Sequence, residues 1–196
     1  AVKQALRKYC LGSNGMIQDG PGIEAYSQHV QVFALLTDTL SPQQGKANLL
    51  ETILHKENYA QCSVAMSFYL YRALQKAELY EMTDDYWNIW RRMIKNNATT
   101  CVEAEAGERS ECHAWGSLAL YELPSVTLGV YPAEPGYKSV VIAPTPGYLT
   151  WAKGEVMTPH GLVKVEWKKD GAGLNVSYQV PEGMNVHAAS SVDKRK

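Results

Sequence analysis

The sequence has no long apolar run. Nothing in its 196 residues approaches the roughly 20 that a membrane-spanning helix needs, so no membrane partner is expected. It has almost no net charge. Its 19 Lys and Arg face 20 Asp and Glu, a formal charge of −1, so the electrostatic footprint of a nucleic-acid partner is missing. The one basic cluster, Lys194-Arg195-Lys196, follows a Ser-rich stretch and reads as a disordered tail over 190–196. Cysteine is scarce. Cys10, Cys62, Cys101 and Cys112 form no C-x-x-C pair, which leaves neither a disulfide framework nor a familiar zinc spacing. Cys10 and Cys62 fall on predicted helix faces and read as small core hydrophobes. A signal peptide is lacking, and the chain opens AVKQALRKY, without Met, inside a helical pattern. It therefore reads as the interior of a longer protein, and the compartment stays open.

What is there changes character once. Up to Leu123 the apolar residues recur at helical spacing. Tyr26, Val30, Phe33 and Ala34 mark a helix within 22–38. Ser41-Pro42-Gln43-Gln44 is a helix start, with a Ser cap, Pro at the first helical position and Gln three residues after the cap. Residues 60–79 are apolar almost all round, which predicts a helix buried on most sides. Thr83 or Asp84 is expected to cap the next helix, whose stripe is Tyr86, Ile89, Trp90 and Met93. A last short helix is expected from Cys112 until Pro124 stops it. These helices are too few to close a ring and too apolar to stand alone.

After Pro124 the period becomes two. Val163, Val165 and Trp167 alternate with charged residues, a Gly-rich turn follows, and Leu174, Val176, Tyr178 and Val180 alternate with polar ones. With strands expected over 126–131, 138–143 and 148–158, five or six antiparallel strands predict a small β-sandwich.

Between the last two helical patterns lies ATTCVEAEAGERSECHAW, rich in side chains that do acid–base chemistry, bind metals or stack on sugars. Three chemical readings compete with a plain solvated acidic loop. Cys101, Glu103, Cys112 and His113 are zinc-ligand types, but adjacent Cys112 and His113 suit joint ligation badly. A Cys–His nucleophilic pair meets the same objection, since neighbouring side chains on a helix diverge. Glycoside hydrolysis needs two carboxyl groups flanking the scissile bond. A glutamate, a histidine and a tryptophan on one loop would supply half of such a site.

The ordered series ATTCVE, RSECHAWGSLALYELPS, LGVYPAEPGY and PTPGYLTWAKGEVMTPHGLVKVEW, with the helical stretch NYAQCSVAMSFYLYRALQKAELYEMTDDYWNIWRRMI, resembles the bacterial α-L-rhamnosidases of glycoside hydrolase family 78. The resemblance implies an α+β multidomain layout: part of an (α/α)6 toroid of helical hairpins over 1–123, then an antiparallel β-sandwich over 124–189. It implies an inverting glycosidase acting on rhamnosylated oligosaccharides or glycosides. Glu103, after the Thr99-Thr100 pair, stands at the family's general base. His113 stands at its sugar-contacting histidine. Trp115 is placed to line the pocket or to pack between helices. Val102 stands where many members have Trp, so one wall of the pocket differs. Glu105, Glu108 and Glu111 match no catalytic position and read as solvated, and Arg109 is expected to offset their charge. No motif matches the family's general acid.

The implied partners are the substrate and the remainder of the catalytic domain, or a homo-oligomer covering the same apolar helical face. No cofactor and no metal are implied, and the isolated chain is expected to be inactive. The rival reading is a non-catalytic carbohydrate-binding or structural module, and the sequence upstream of Ala1 would discriminate. A first test concerns metal: the purified chain is expected to carry no stoichiometric zinc, and zinc lost only to strong chelators in elemental analysis would contradict this.

Overall fold

The computed structural model describes residues 1–104, 110–171 and 173–188, together with the backbone of 192–194. The chain divides into two compact units, Ala1–Gly116 and Ser117–Lys196.

The first unit is helical. Helix α1 covers Val2–Tyr9, α2 Gln28–Leu36, α3 Pro42–Leu54, α4 Ser67–Lys76, α5 Thr83–Tyr86 and α6 Asn88–Lys95. The start of α3 is as its sequence predicts: the Ser41 side chain accepts from Gln44 N, with Pro42 at the first position. α2 packs against both α3 and α4, around a core of Leu35, Leu49, Leu70, Tyr71 and Leu74, all at most 2% exposed.

Three helical expectations are corrected, each by a competing hydrogen bond. The helix expected within 22–38 begins only at Gln28, because Ser27 caps it and accepts from Val30 N. Ser27 is itself fixed by Asp19, whose carboxylate accepts from both the Ser27 amide and hydroxyl. The helix expected over 60–79 begins only at Ser67. Ahead of it, Ala60 O accepts from Gln28 N, and Cys62 N donates to Gln28 Oε1 at 3.0 Å. Those backbone groups are engaged by the start of α2 and not by a helix of their own. Cys62 therefore lies on an irregular segment and not on a helix face. Thr83 does not cap from outside the helix: it is the first residue of α5, and its hydroxyl bonds back to Tyr80 O.

Two glutamines inside α2 do most of this bracing. Gln28 and Gln31 are fully buried, and both are satisfied, as buried amides must be. Gln28 Nε2 reaches Tyr86 Oη at 3.0 Å. Gln31 Nε2 donates to Ile17 O, while its Oε1 accepts from Ile17 N.

The second unit opens with α7, Leu118–Glu122, which runs into one π-helical turn, Leu123–Thr127. Pro124 does not stop the chain's winding as the sequence suggested. It lacks an amide hydrogen, and the winding widens instead, Leu128 N bonding to Leu123 O. Among the described residues seven strands follow: β1 Val130–Pro132, β2 Ser139–Ile142, β3 Trp151–Thr158, β4 Gly161–Asp170, β5 Gly173–Gln179, β6 Asn185–Ala188 and β7 Val192–Lys194. They form two sheets, ordered β1-β2-β6 and β3-β4-β5-β7.

The expected β4–β5 hairpin is present, pairing Val165 with Tyr178 and Trp167 with Val176. The expectation of wholly antiparallel sheets is corrected, since β6 runs parallel to β2 and β7 parallel to β5. Of the tail expected over 190–196, residues 190, 191, 195 and 196 lie outside the described residues, and the backbone between them is strand β7.

Trp167, 1% exposed, anchors this unit. Its ring sits among Val130, Val140, Ile142 and Val163, and its Nε1 donates to Thr127 O at 2.8 Å. Strand β1 is set by Gly129. It has φ of +73°, and a Cβ there would lie 2.2 Å from Ala143 C and Pro144 N. Gly129→Ala is expected to cost about 3 kcal/mol or more, adding a strained left-handed residue to a backbone clash. Chemical denaturation checks this, and an unchanged midpoint would contradict it.

Candidate functional site

The segment from Thr99 to Gly116 folds back on itself. His113 N donates to Cys101 O at 2.7 Å, and Glu103 N to Ser110 O at 3.0 Å. The Thr100 hydroxyl donates to Glu111 O. Residues 101–103 and 110–113 thus run alongside each other, and Glu103 is brought beside His113 although ten positions separate them. A short 3-10 turn, Ala114–Gly116, then carries Trp115.

The three residues singled out from the sequence come together. Glu103 Oε2 lies 4.0 Å from His113 Nδ1, with side chains 18% and 25% exposed respectively. The His113 and Trp115 rings meet edge-on at 5.0 Å. Trp115 does not pack between helices in this unit, because it is 67% exposed. The 4.0 Å gap is too long for a direct hydrogen bond and is the kind of separation that a bridging hydroxyl or water spans. A half-buried carboxylate, an imidazole and an open indole face together can take a proton, hold a hydroxyl and stack on a sugar ring. Glu111 is exposed on the other limb of the fold. Glu105, Glu108 and Arg109 lie outside the described residues.

Val102 and Ala104 flank Glu103 but line cavities against α6. One, of about 420 Å³, has Val102, Ile89, Met93, Thr99 and Thr100 in its wall. The other, of about 410 Å³, has Ala104, Ile89, Gln61, Cys62 and Tyr86. Two residues the sequence reading passed over hold the segment. Trp90 was read as one apolar member of a helical stripe, yet its Nε1 donates to Gly116 O at 2.7 Å. A Cβ on Gly116 would lie 2.6 Å from Cys101 Cβ and 2.8 Å from Val102 O. No spacing in the sequence marks either of them. Among the described residues, no three of His, Cys, Asp and Glu gather as metal ligands would.

The helical unit thus carries a carboxylate, an imidazole and an indole side by side, and a two-sheet β unit follows it in the sequence. Residues 129–190 match the family model described as the bacterial alpha-L-rhamnosidase C-terminal domain. An alpha-L-rhamnosidase of Alteromonas sp. (strain LOR) is 25% identical over 148 residues, covering 75% of this chain and 14% of that protein. The GH78 family rhamnosidase of Bacillus sp. GL1 superimposes with a TM-score of 0.75 at 27% identity, over 98% of this chain and 23% of that one. The Aspergillus terreus enzyme gives a TM-score of 0.73 at 21% identity, over 95% and 24%. The Streptomyces avermitilis enzyme, solved with L-rhamnose, gives 0.69 at 19%, over 95% and 20%. The chain is thus similar to the C-terminal part of the family 78 α-L-rhamnosidases, and it spans a quarter or less of the length of these relatives.

The thiols around the segment differ in reactivity. Burial pushes the Cys62 thiol up to about 12, while Cys112 is exposed. Since the thiolate is the reactive form, an aromatic disulfide reagent at pH 8 is expected to modify Cys112 and spare Cys62 until the protein unfolds. Early labelling of Cys62, read by peptide mass spectrometry, would contradict this.

Proposed function

We propose that the chain is the C-terminal portion of an inverting α-L-rhamnosidase, and that Glu103 is its general base. The observation that carries this is the half-buried Glu103 carboxylate facing His113 across 4.0 Å, with Trp115 open beside it. Inversion needs a carboxylate to deprotonate water as it attacks the face opposite the leaving group. His113 holds a hydroxyl of the rhamnose, and Trp115 gives the ring a face to stack on.

On this reading the helical unit is the last part of an (α/α)6 toroid, with domain limits at 1–123 and 124–189. The general acid comes from elements outside this chain, so the isolated chain turns nothing over. Exposed apolar side chains of the helical unit support a need for such elements: Leu54 is 64% exposed and Ile94 78%. The substrate class is a rhamnosylated oligosaccharide or glycoside, which the relatives' names support.

In the full-length enzyme that carries this chain, Glu103→Gln is expected to lower kcat on an aryl rhamnoside by about 10²–10⁴ while rhamnose still binds. Glutamine keeps the size of the side chain but cannot take the proton. His113→Ala is expected to weaken rhamnose binding as well as turnover. Polarimetry or NMR of the first-formed anomer reports inversion. Near-normal kcat for Glu103→Gln on both an aryl and a natural rhamnoside would return the segment to a solvated connection.

A further inference from the structure

We propose that Trp90, buried in α6, is the positioning residue that sets the Glu103–His113 geometry. The inference rests on the reading of Glu103 as base. The path from one to the other is a run of short hydrogen bonds. Trp90 Nε1 donates to Gly116 O at 2.7 Å. Gly116 N donates to His113 O at 3.0 Å, His113 N to Cys101 O at 2.7 Å, and Glu103 N to Ser110 O at 3.0 Å. The indole therefore fastens the turn that carries His113 and Trp115, and that turn fastens the limb that carries Glu103.

Two further observations make this tie matter. First, packing beneath the segment is loose. Val102 and Ala104, on either side of Glu103, each line a cavity of about 400 Å³, and Ile89 is common to both. With that space beneath it, the segment is held by directional bonds as well as by packing. Second, the Trp90 end is rigid. Trp90 is 7% exposed and packs edge-on against Trp87 at 5.2 Å, and Trp87 in turn against Tyr71 at 5.4 Å. Tyr71 is fully buried in the core of the unit. The indole N–H is thus a fixed point, and Gly116 brings a carbonyl to it by passing close to Cys101 and Val102 without a side chain.

When the tie is cut the base loses rate, because proton transfer depends steeply on distance, and the sugar contacts on the same turn weaken with it. A displacement of about 1 Å far from the chemistry can cost about 10²-fold. In the full-length enzyme, Trp90→Phe keeps a ring in the aromatic cluster and removes the donor. It is expected to lower kcat about tenfold and also to weaken inhibition by rhamnose, since the turn that Trp90 fastens carries His113 and Trp115. Trp87→Phe alters the same cluster but leaves Gly116 O its donor, so it is expected to keep wild-type kcat once assayed well below its melting temperature. If Trp90→Phe folds poorly, replacing Trp90 with benzothienylalanine keeps the size and shape of the indole and removes only the N–H. It is expected to show the same loss of kcat.

Wild-type kcat in the folded Trp90→Phe or benzothienylalanine enzyme would overturn the proposal. So would an equal loss in Trp87→Phe, which would mark a general packing effect. Glu103→Gln run alongside separates the two levels. If Glu103→Gln is inactive and Trp90→Phe is normal, the positioning role alone fails. If Glu103→Gln is active, the base assignment fails and takes the positioning role with it.

Discussion

The backbone at position 116 passes so close to residues 101 and 102 that no Cβ fits between them. That approach is what gives the connection between helices a fixed shape. It places Gly116 O within reach of the Trp90 indole N–H and brings the 113–116 turn against the start of the segment, so the 101–103 limb has a partner to pair with. Without it, Glu103 and His113 would be two residues of a solvated linker. The groups it brings together are ordinary in type. What is specific is that their backbones are tied to each other and to a buried ring.

The helical unit uses the same device elsewhere, polar groups placed inside to give direction where apolar packing gives none. Hydrophobic contact is non-directional, and it would let the irregular segments before α2 and α4 settle in several ways. Gln28 and Gln31 select one. Each amide is buried with its donors and acceptor engaged by segments far away in sequence. The cost of leaving such an amide unsatisfied, of the order of 1–3 kcal/mol, falls on any alternative arrangement of those segments.

Much of the fold was legible in the sequence. The switch of hydrophobic period near Pro124 located the change from helix to strand, and the alternation through Val163, Val165 and Trp167 named the buried face of β4, as the burial of those three residues bears out. The Ser41 cap set the start of α3 to the residue. What escaped were features decided by partners distant in the chain. The true start of α4 depends on Gln28, 39 positions earlier. The π turn depends on how the chain resumes bonding after Pro124. Strand β6 has no alternation strong enough to announce it, and its parallel pairing with β2 cannot be read from local pattern. In the site, residue types and motif order singled out Glu103, His113 and Trp115. Their support was illegible, because an indole that donates a hydrogen bond and one that merely packs have the same signature in a helical stripe.

The parallel pairing of β6 with β2 and of β7 with β5 also bears on how the protein is made. Antiparallel hairpins such as β3–β4–β5 can close as soon as their turns leave the ribosome, since their contacts are local. The two parallel strands cannot. Each must wait for residues 185–194 to be synthesised and then return to a strand laid down earlier. Until that moment both sheets present an open edge, the feature that invites pairing with another chain. The interval between completing β5 and releasing β7 is therefore when a nascent copy is most exposed to its neighbours. Slowing translation across this stretch bears on soluble yield more than on the stability of the finished protein.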